Sequence, residues 1–106
     1  MATTTISTTI LPKAVEMARG LGVERELEAI LEEGRRTVKG LRSLEVDAGT
    51  ESSMGPEIVI RAKVDPATEG DPSHIAWWSW RIEQYGPNVA ADFCVTIDPD
   101  EDDDAR

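Results

Sequence analysis

Four of the chain's five aromatic residues, Trp77, Trp78, Trp80 and Tyr85, lie in the nine residues Trp77-Trp-Ser-Trp-Arg-Ile-Glu-Gln-Tyr85. How that stretch folds limits everything around it. Asp71-Pro72-Ser73 precedes it with helix-start chemistry, because an Asp oxygen accepts from free first-turn amides and proline is pre-set for the first helical position. Gly86-Pro87 closes it, so the spacing predicts one short helix. At about 100° per residue, Ile75, Trp78, Ile82 and Tyr85 share one face, which reads as a core stripe. Trp77, Trp80 and Gln84 project to roughly the opposite side. One flat layer cannot bury all three indoles, so a second cover is required.

That cover comes either from the N-terminal helices of the same chain or from another chain. In the second case Trp77, Trp80, Arg81 and Gln84 form the partner-binding face, since Trp and Arg are enriched where binding energy concentrates. The lone His74 is expected as a surface residue at the helix start.

Charge narrows the choice of partner. Residues 1–40 hold six basic and six acidic side chains, residues 41–106 five and fifteen, so the whole net charge of −10 belongs to the second part. Asp98, Asp100, Glu101, Asp102, Asp103 and Asp104 form a like-charge block that repels itself and is expected to be disordered. Such a tail steers basic partners and opposes nucleic-acid binding. The Asp98, Asp100, Asp102 spacing lacks the turn glycine and the closing Glu of a calcium loop, so no metal site is expected.

A length of 106 residues with 40% hydrophobic residues suits a single soluble domain. No apolar run approaches the roughly 18 residues of a membrane span, and the Met-Ala-Thr-Thr-Thr start lacks signal-peptide character. A cytoplasmic location is the expectation. The single Cys94, within Phe93-Cys-Val-Thr-Ile97, allows no internal disulfide and is expected to be a buried structural thiol.

Thr3 to Thr9 suits an extended arm or an edge strand, and residues 1–11 are assigned as an arm. Pro12 opens a short helix over Lys13–Arg19, ended by Gly20-Leu21-Gly22. From Val23 to Val38 the positions Val23, Leu27, Ile30, Leu31, Gly34 and Val38 make an apolar helical stripe. Leu41–Asp47 and Ile58–Val64 read as strands, the second with Ile58, Ile60, Ala62 and Val64 on one face and Arg61 and Lys63 on the other. Val89–Ile97 is a third strand, returning parallel to the second after the Trp helix. The expected fold is α+β: two N-terminal helices, then strand, strand, helix and strand, with a three-stranded mixed sheet in one domain over 12–97 and a disordered tail over 98–106.

Catalytic chemistry is not expected. Serine catalysis needs a histidine within reach, and no Ser lies in a nucleophile-elbow context. Cys94 with His74 is the one nucleophile and base available, and apolar strand neighbours would suppress the thiol's reactivity. No cofactor is expected, because no phosphate-binding glycine motif or zinc ligand set is present. Thr8–Val15 is similar to the DNA-binding arm of swapped-hairpin antitoxins, but that family's glycine and strand pattern does not follow. No family is assigned.

The function expected is a small acidic protein-interaction module, such as an antitoxin-like or inhibitor-like neutraliser of a basic protein. Two alternatives are a pocket for a cationic ligand built from Trp77, Trp80, Tyr85 and Glu83, and a structural homo-oligomer subunit. Asp65, Glu69 and Asp71, in the loop before the Trp helix, would present acid to either kind of ligand.

Overall fold

In the computed structural model, which describes residues 6–49 and 57–100, the chain runs β1 (Ser7–Ile10), α1 (Pro12–Leu21), α2 (Glu24–Thr37), β2 (Leu41–Gly49), β3 (Glu57–Val64), a 3-10 turn (Pro66–Thr68), α3 (Pro72–Ala90) and β4 (Phe93–Pro99). The fold is α+β with a mixed sheet ordered β1-β2-β3-β4. β1 is parallel to β2, β2 antiparallel to β3, and β3 parallel to β4. Two strand-helix-strand crossovers are therefore joined through the central antiparallel pair, and the last strand returns parallel as its connection predicts.

The sheet has four strands, not three. Residues 7–10, assigned to an arm, pair with Ser43 to Val46. Thr8, Thr9 and Ile10 suit a pleated edge, and the Leu11 amide extends the pairing by donating to the Val46 carbonyl at 3.0 Å. Ile10 supplies an apolar side chain in the row Ile10, Val46, Ile60, Val95.

Register sorts the sheet into two chemically different faces. Rows such as Thr8, Leu44, Ala62, Ile97 and Ile10, Val46, Ile60, Val95 face the helices and hold most of the buried strand residues. The rows Ser7, Ser43, Lys63, Asp98 and Thr9, Glu45, Arg61, Thr96 lie on the other face, which no described helix covers. Alternation at a period of two produces this split directly. Arg61 projects there as expected and reaches Glu45 at 3.2 Å and Asp47 at 3.4 Å. Lys13 also reaches Asp47, at 3.3 Å. The Ala48 amide donates to the Asp47 carboxylate and holds its pKa below the usual carboxylate value, with Lys13 and Arg61 acting in the same direction. Cys94, expected to be buried, is half-buried on this polar face, beside Val59 in register.

On the helical side, α1 packs over β2 and β3, α2 lies against α1 and α3, and α3 lies over β4. The predicted α2 stripe is buried from Val23 through Leu27, Ile30, Leu31 and Gly34 to Val38. Glu24 and Glu26 in its first turn and Arg35 and Arg36 in its last complement the helix dipole.

α3 begins as its sequence predicts, with Asp71 accepting from the Ser73 amide at 2.9 Å and Pro72 in the first turn. Gly86 breaks it at φ 83°, a backbone region that glycine adopts without side-chain strain. Pro87 restarts one more turn, and the Ala91 amide donates back to Pro87 at 3.0 Å. This turn takes Val89 and Ala90 out of the expected strand, which begins instead at Phe93.

The C-terminal end is also corrected. Asp98 and Pro99 belong to β4, and the Asp100 amide donates to Val64 at 2.8 Å, so residues 98–100, assigned to the tail, complete the sheet. Glu101, Asp102, Asp103 and Asp104 lie outside the described residues. No helix among the described residues is long and apolar enough to cross a membrane.

Candidate functional site

The rotation of α3 decides which aromatic residues meet solvent. Trp77, at 2% exposure, is sealed against α2, and its indole Nε1–H donates to the Ile30 carbonyl at 2.9 Å. Gly34 makes room for the ring. A methyl group at that position would stand 2.7 Å from both Cε2 and Cζ2 of Trp77. Of the two covers the sequence allowed, a helix of the same chain is the one over this indole.

Burying Trp77 draws His74 and Arg81 inward, three residues before it and four after. His74 Nε2 lies 3.0 Å from the Lys39 carbonyl, which fixes the proton on that nitrogen, and the Lys39 amide donates to Ser73 Oγ at 2.9 Å. These bonds clip the start of α3 to the α2–β2 turn. His74 is thus buried, against its expected surface position. Arg81 is also buried; its guanidinium donates to the Ala90 carbonyl at 3.0 Å and lies 4.9 Å from the centroid of the Trp78 ring. Its Nε has no hydrogen-bond partner among the described residues, and burial pushes its pKa down.

The predicted face is consequently turned by about one residue, or 100°. Ile75 is 69% exposed and Trp78 41% exposed, although both belonged to the predicted core stripe. Of the four residues assigned to a partner, Trp77 and Arg81 are internal and Trp80 is half-buried, while Gln84 is exposed. Trp80 meets Tyr85 edge-on, with centroids 5.9 Å apart. Burial, and secondarily Glu26, raises the Tyr85 pKa. Trp77, Trp80, Tyr85 and Glu83 therefore do not surround a common opening: the first is sealed, the next two touch each other, and Glu83 is exposed.

What does open is a groove of about 390 Å³ between α3 and the outer strand β4. Ile75, Trp78 and His74 form its helical wall, while Val95, Ile97 and Pro99 form its floor. Glu69 and Asp71 stand at one end. The Ser73 backbone amide, helped by the Ser73 side chain, holds the Asp71 carboxyl below the usual carboxylate range, so this end is anionic at neutral pH. Asp65, the third acid of that loop, is instead 3.4 Å from Arg42, which also reaches Asp100 at 3.4 Å. Asp98 stays exposed on β4, opposite Lys63 in register.

An apolar floor, an exposed indole and carboxylates at the rim can hold an apolar side chain and draw a cationic group beside it. The sequence concealed this site because its floor comes from a strand whose edge position only the fold reveals. No protein-family model matches the chain. No curated protein is similar to it, and no solved structure matches it either.

Proposed function

We propose that this protein is a small acidic protein-interaction module that holds a basic partner protein in the groove between α3 and β4. A neutraliser of that partner, comparable in role to an antitoxin or an inhibitor acting in the cytoplasm, is the most concrete form of this reading. The observation that carries it is the exposure of Ile75 and Trp78 over an apolar floor, next to the carboxylates of Glu69 and Asp71. Large apolar side chains left in the open beside polar rims characterise contact sites in small proteins. Indole burial supplies the hold and the acids speed encounter and select charge. The chain's net charge of −10 extends the same preference over long range.

The test is purification from the native host at low salt, with the wild type compared against an Ile75→Ser, Trp78→Ala double variant and against Gln84→Ala. A basic protein should accompany the wild type and Gln84→Ala and be lost from the double variant. Its affinity, measured with both proteins purified, should fall as salt rises. Equal retention by the folded double variant would contradict the proposal.

A further inference from the structure

The outer edge of β4 adds a second kind of binding capacity to the groove. In a parallel ladder a residue's amide and carbonyl point to the same neighbour, and the direction alternates along the strand. Ile58 donates to the Asp92 carbonyl and Asp100 donates to the Val64 carbonyl, each at 2.8 Å, which fixes the even-numbered residues of this segment as those facing β3. Val95 and Ile97 accordingly direct their amides and carbonyls away from the sheet. Their side chains are the ones that floor the groove beneath Ile75 and Trp78. Backbone donors and acceptors therefore run alongside an apolar trough in one register.

We infer that β4 takes an extended segment of the partner as a fifth strand, and that this segment alternates apolar and basic side chains. The inference rests on the interaction reading above and names the partner's binding element. Successive side chains of an added strand fall on opposite sheet faces. One set enters the groove against Ile75 and Trp78, and the other lies beside Thr96 and the exposed Asp98 on the polar face. Among the described residues no Lys or Arg lines the groove, whereas Glu69 and Asp71 do. A second copy of this chain does not suit the edge. Two β4 strands laid side by side would bring two sets of Asp92, Asp98 and Asp100 together, and like charges across strands are destabilising. A basic strand meets the same acids favourably.

The test uses isotope-labelled full chain and three synthetic probes: a peptide alternating Lys and Val, the same peptide N-methylated at the amides that would face β4, and a peptide of the same composition with its Lys and Val residues in separate blocks. The alternating peptide should slow hydrogen exchange at the Val95 and Ile97 amides and shift the Trp78 indole signal. It should bind about 5- to 150-fold more tightly than the N-methylated form, as expected for losing two hydrogen bonds. The block peptide should bind more weakly than the alternating one. If all three bind equally and shift Trp78, strand addition is overturned while groove binding stands. If the alternating peptide leaves Trp78 and both amides unchanged at saturating concentration, the inference and the interaction reading fall together.

Discussion

Between β1 and β2 the crossover carries two helices, and their apolar stripes pack against each other and the sheet; between β3 and β4 it carries one helix, broken at Gly86, with one of its three tryptophans, Trp77, turned to its neighbour α2. Trp77 takes its hydrogen bond and its packing from α2, so α3 rolls toward α2 and away from the edge of β4. Ile75 and Trp78 are left over that edge with no described element beyond them. The two halves share one sheet face, yet the first leaves only a smaller opening of about 230 Å³ beside Ile10 and Val15 at its outer strand, whereas the second opens over about 390 Å³ along β4. The contrast indicates that the open side follows from where one indole is satisfied. It does not need a loss of packing elsewhere.

The largest effect should come from removing the residue that sets this roll. Trp77→Ala is expected to destabilise the fold by about 3–5 kcal/mol, as for a buried tryptophan truncated to alanine, measured by urea denaturation. Gly34→Ala should cost about 1–3 kcal/mol, because the added methyl meets the indole, less whatever the better helix propensity of alanine returns. In a Trp77→Ala background the same Gly34 change should cost much less or become stabilising. Equal costs in both backgrounds would remove the Trp77–Gly34 contact from the explanation.

Arg81 ties the two sides of the α3 break together. It is buried with one hydrogen bond, an unpartnered Nε and no carboxylate within ion-pair distance among the described residues. Arg81→Met keeps most of the apolar stem and removes the desolvated charge. It should therefore change stability by no more than about 1 kcal/mol. A loss of several kcal/mol in denaturation would show that the guanidinium, not its stem, holds the second half together.

Smaller still, Ile75→Ser should stay within about 0.5 kcal/mol of wild type in stability, since the side chain is largely in solvent. Ile30→Ser, at a side chain buried in the first half, should unfold or severely weaken the chain. Thermal melts of the two variants side by side check this.

Acid provides the last comparison, between wild type and Asp71→Asn. The folded pKa of Asp71 lies below its ordinary value of 3.8. Its stabilisation is thus fully present above that value and is lost as pH falls through the lower folded pKa. The stability difference between the two proteins should be constant from neutrality to about pH 4 and shrink below it. A difference that grows on acidification would contradict the capping role.

Much of this architecture was legible in local pattern. Pro12, Gly22 and Asp71 mark helix limits that the structure keeps, Gly86 marks a break inside α3 and not its end, and the alternation of Ile58 to Val64 sorts both sheet faces. The phase of α3 was not legible, because two sets have the same spacing one residue apart: Ile75, Trp78, Ile82 and His74, Trp77, Arg81. Hydrophobicity favours the first. The second wins because an indole donor meets a carbonyl on α2, while His74 and Arg81 each find a backbone carbonyl and bury apolar ring or stem. Those partners lie far away in sequence or beyond a helix break. The β1 strand and the role of residues 98–100 were hidden for a related reason: both depend on pairing with β2 and β3, which residues of polar character permit but do not announce.

Hydrogen exchange of the indole Nε1–H groups, followed by nitrogen-resolved NMR, tests the roll of α3 most directly. Slow exchange is expected for Trp77, whose proton is held by the Ile30 carbonyl, and fast exchange for Trp78 over the open groove. Protection of Trp78 with rapid exchange of Trp77 would turn the Ile75 and Trp78 face inward and remove the groove on which the proposed function stands.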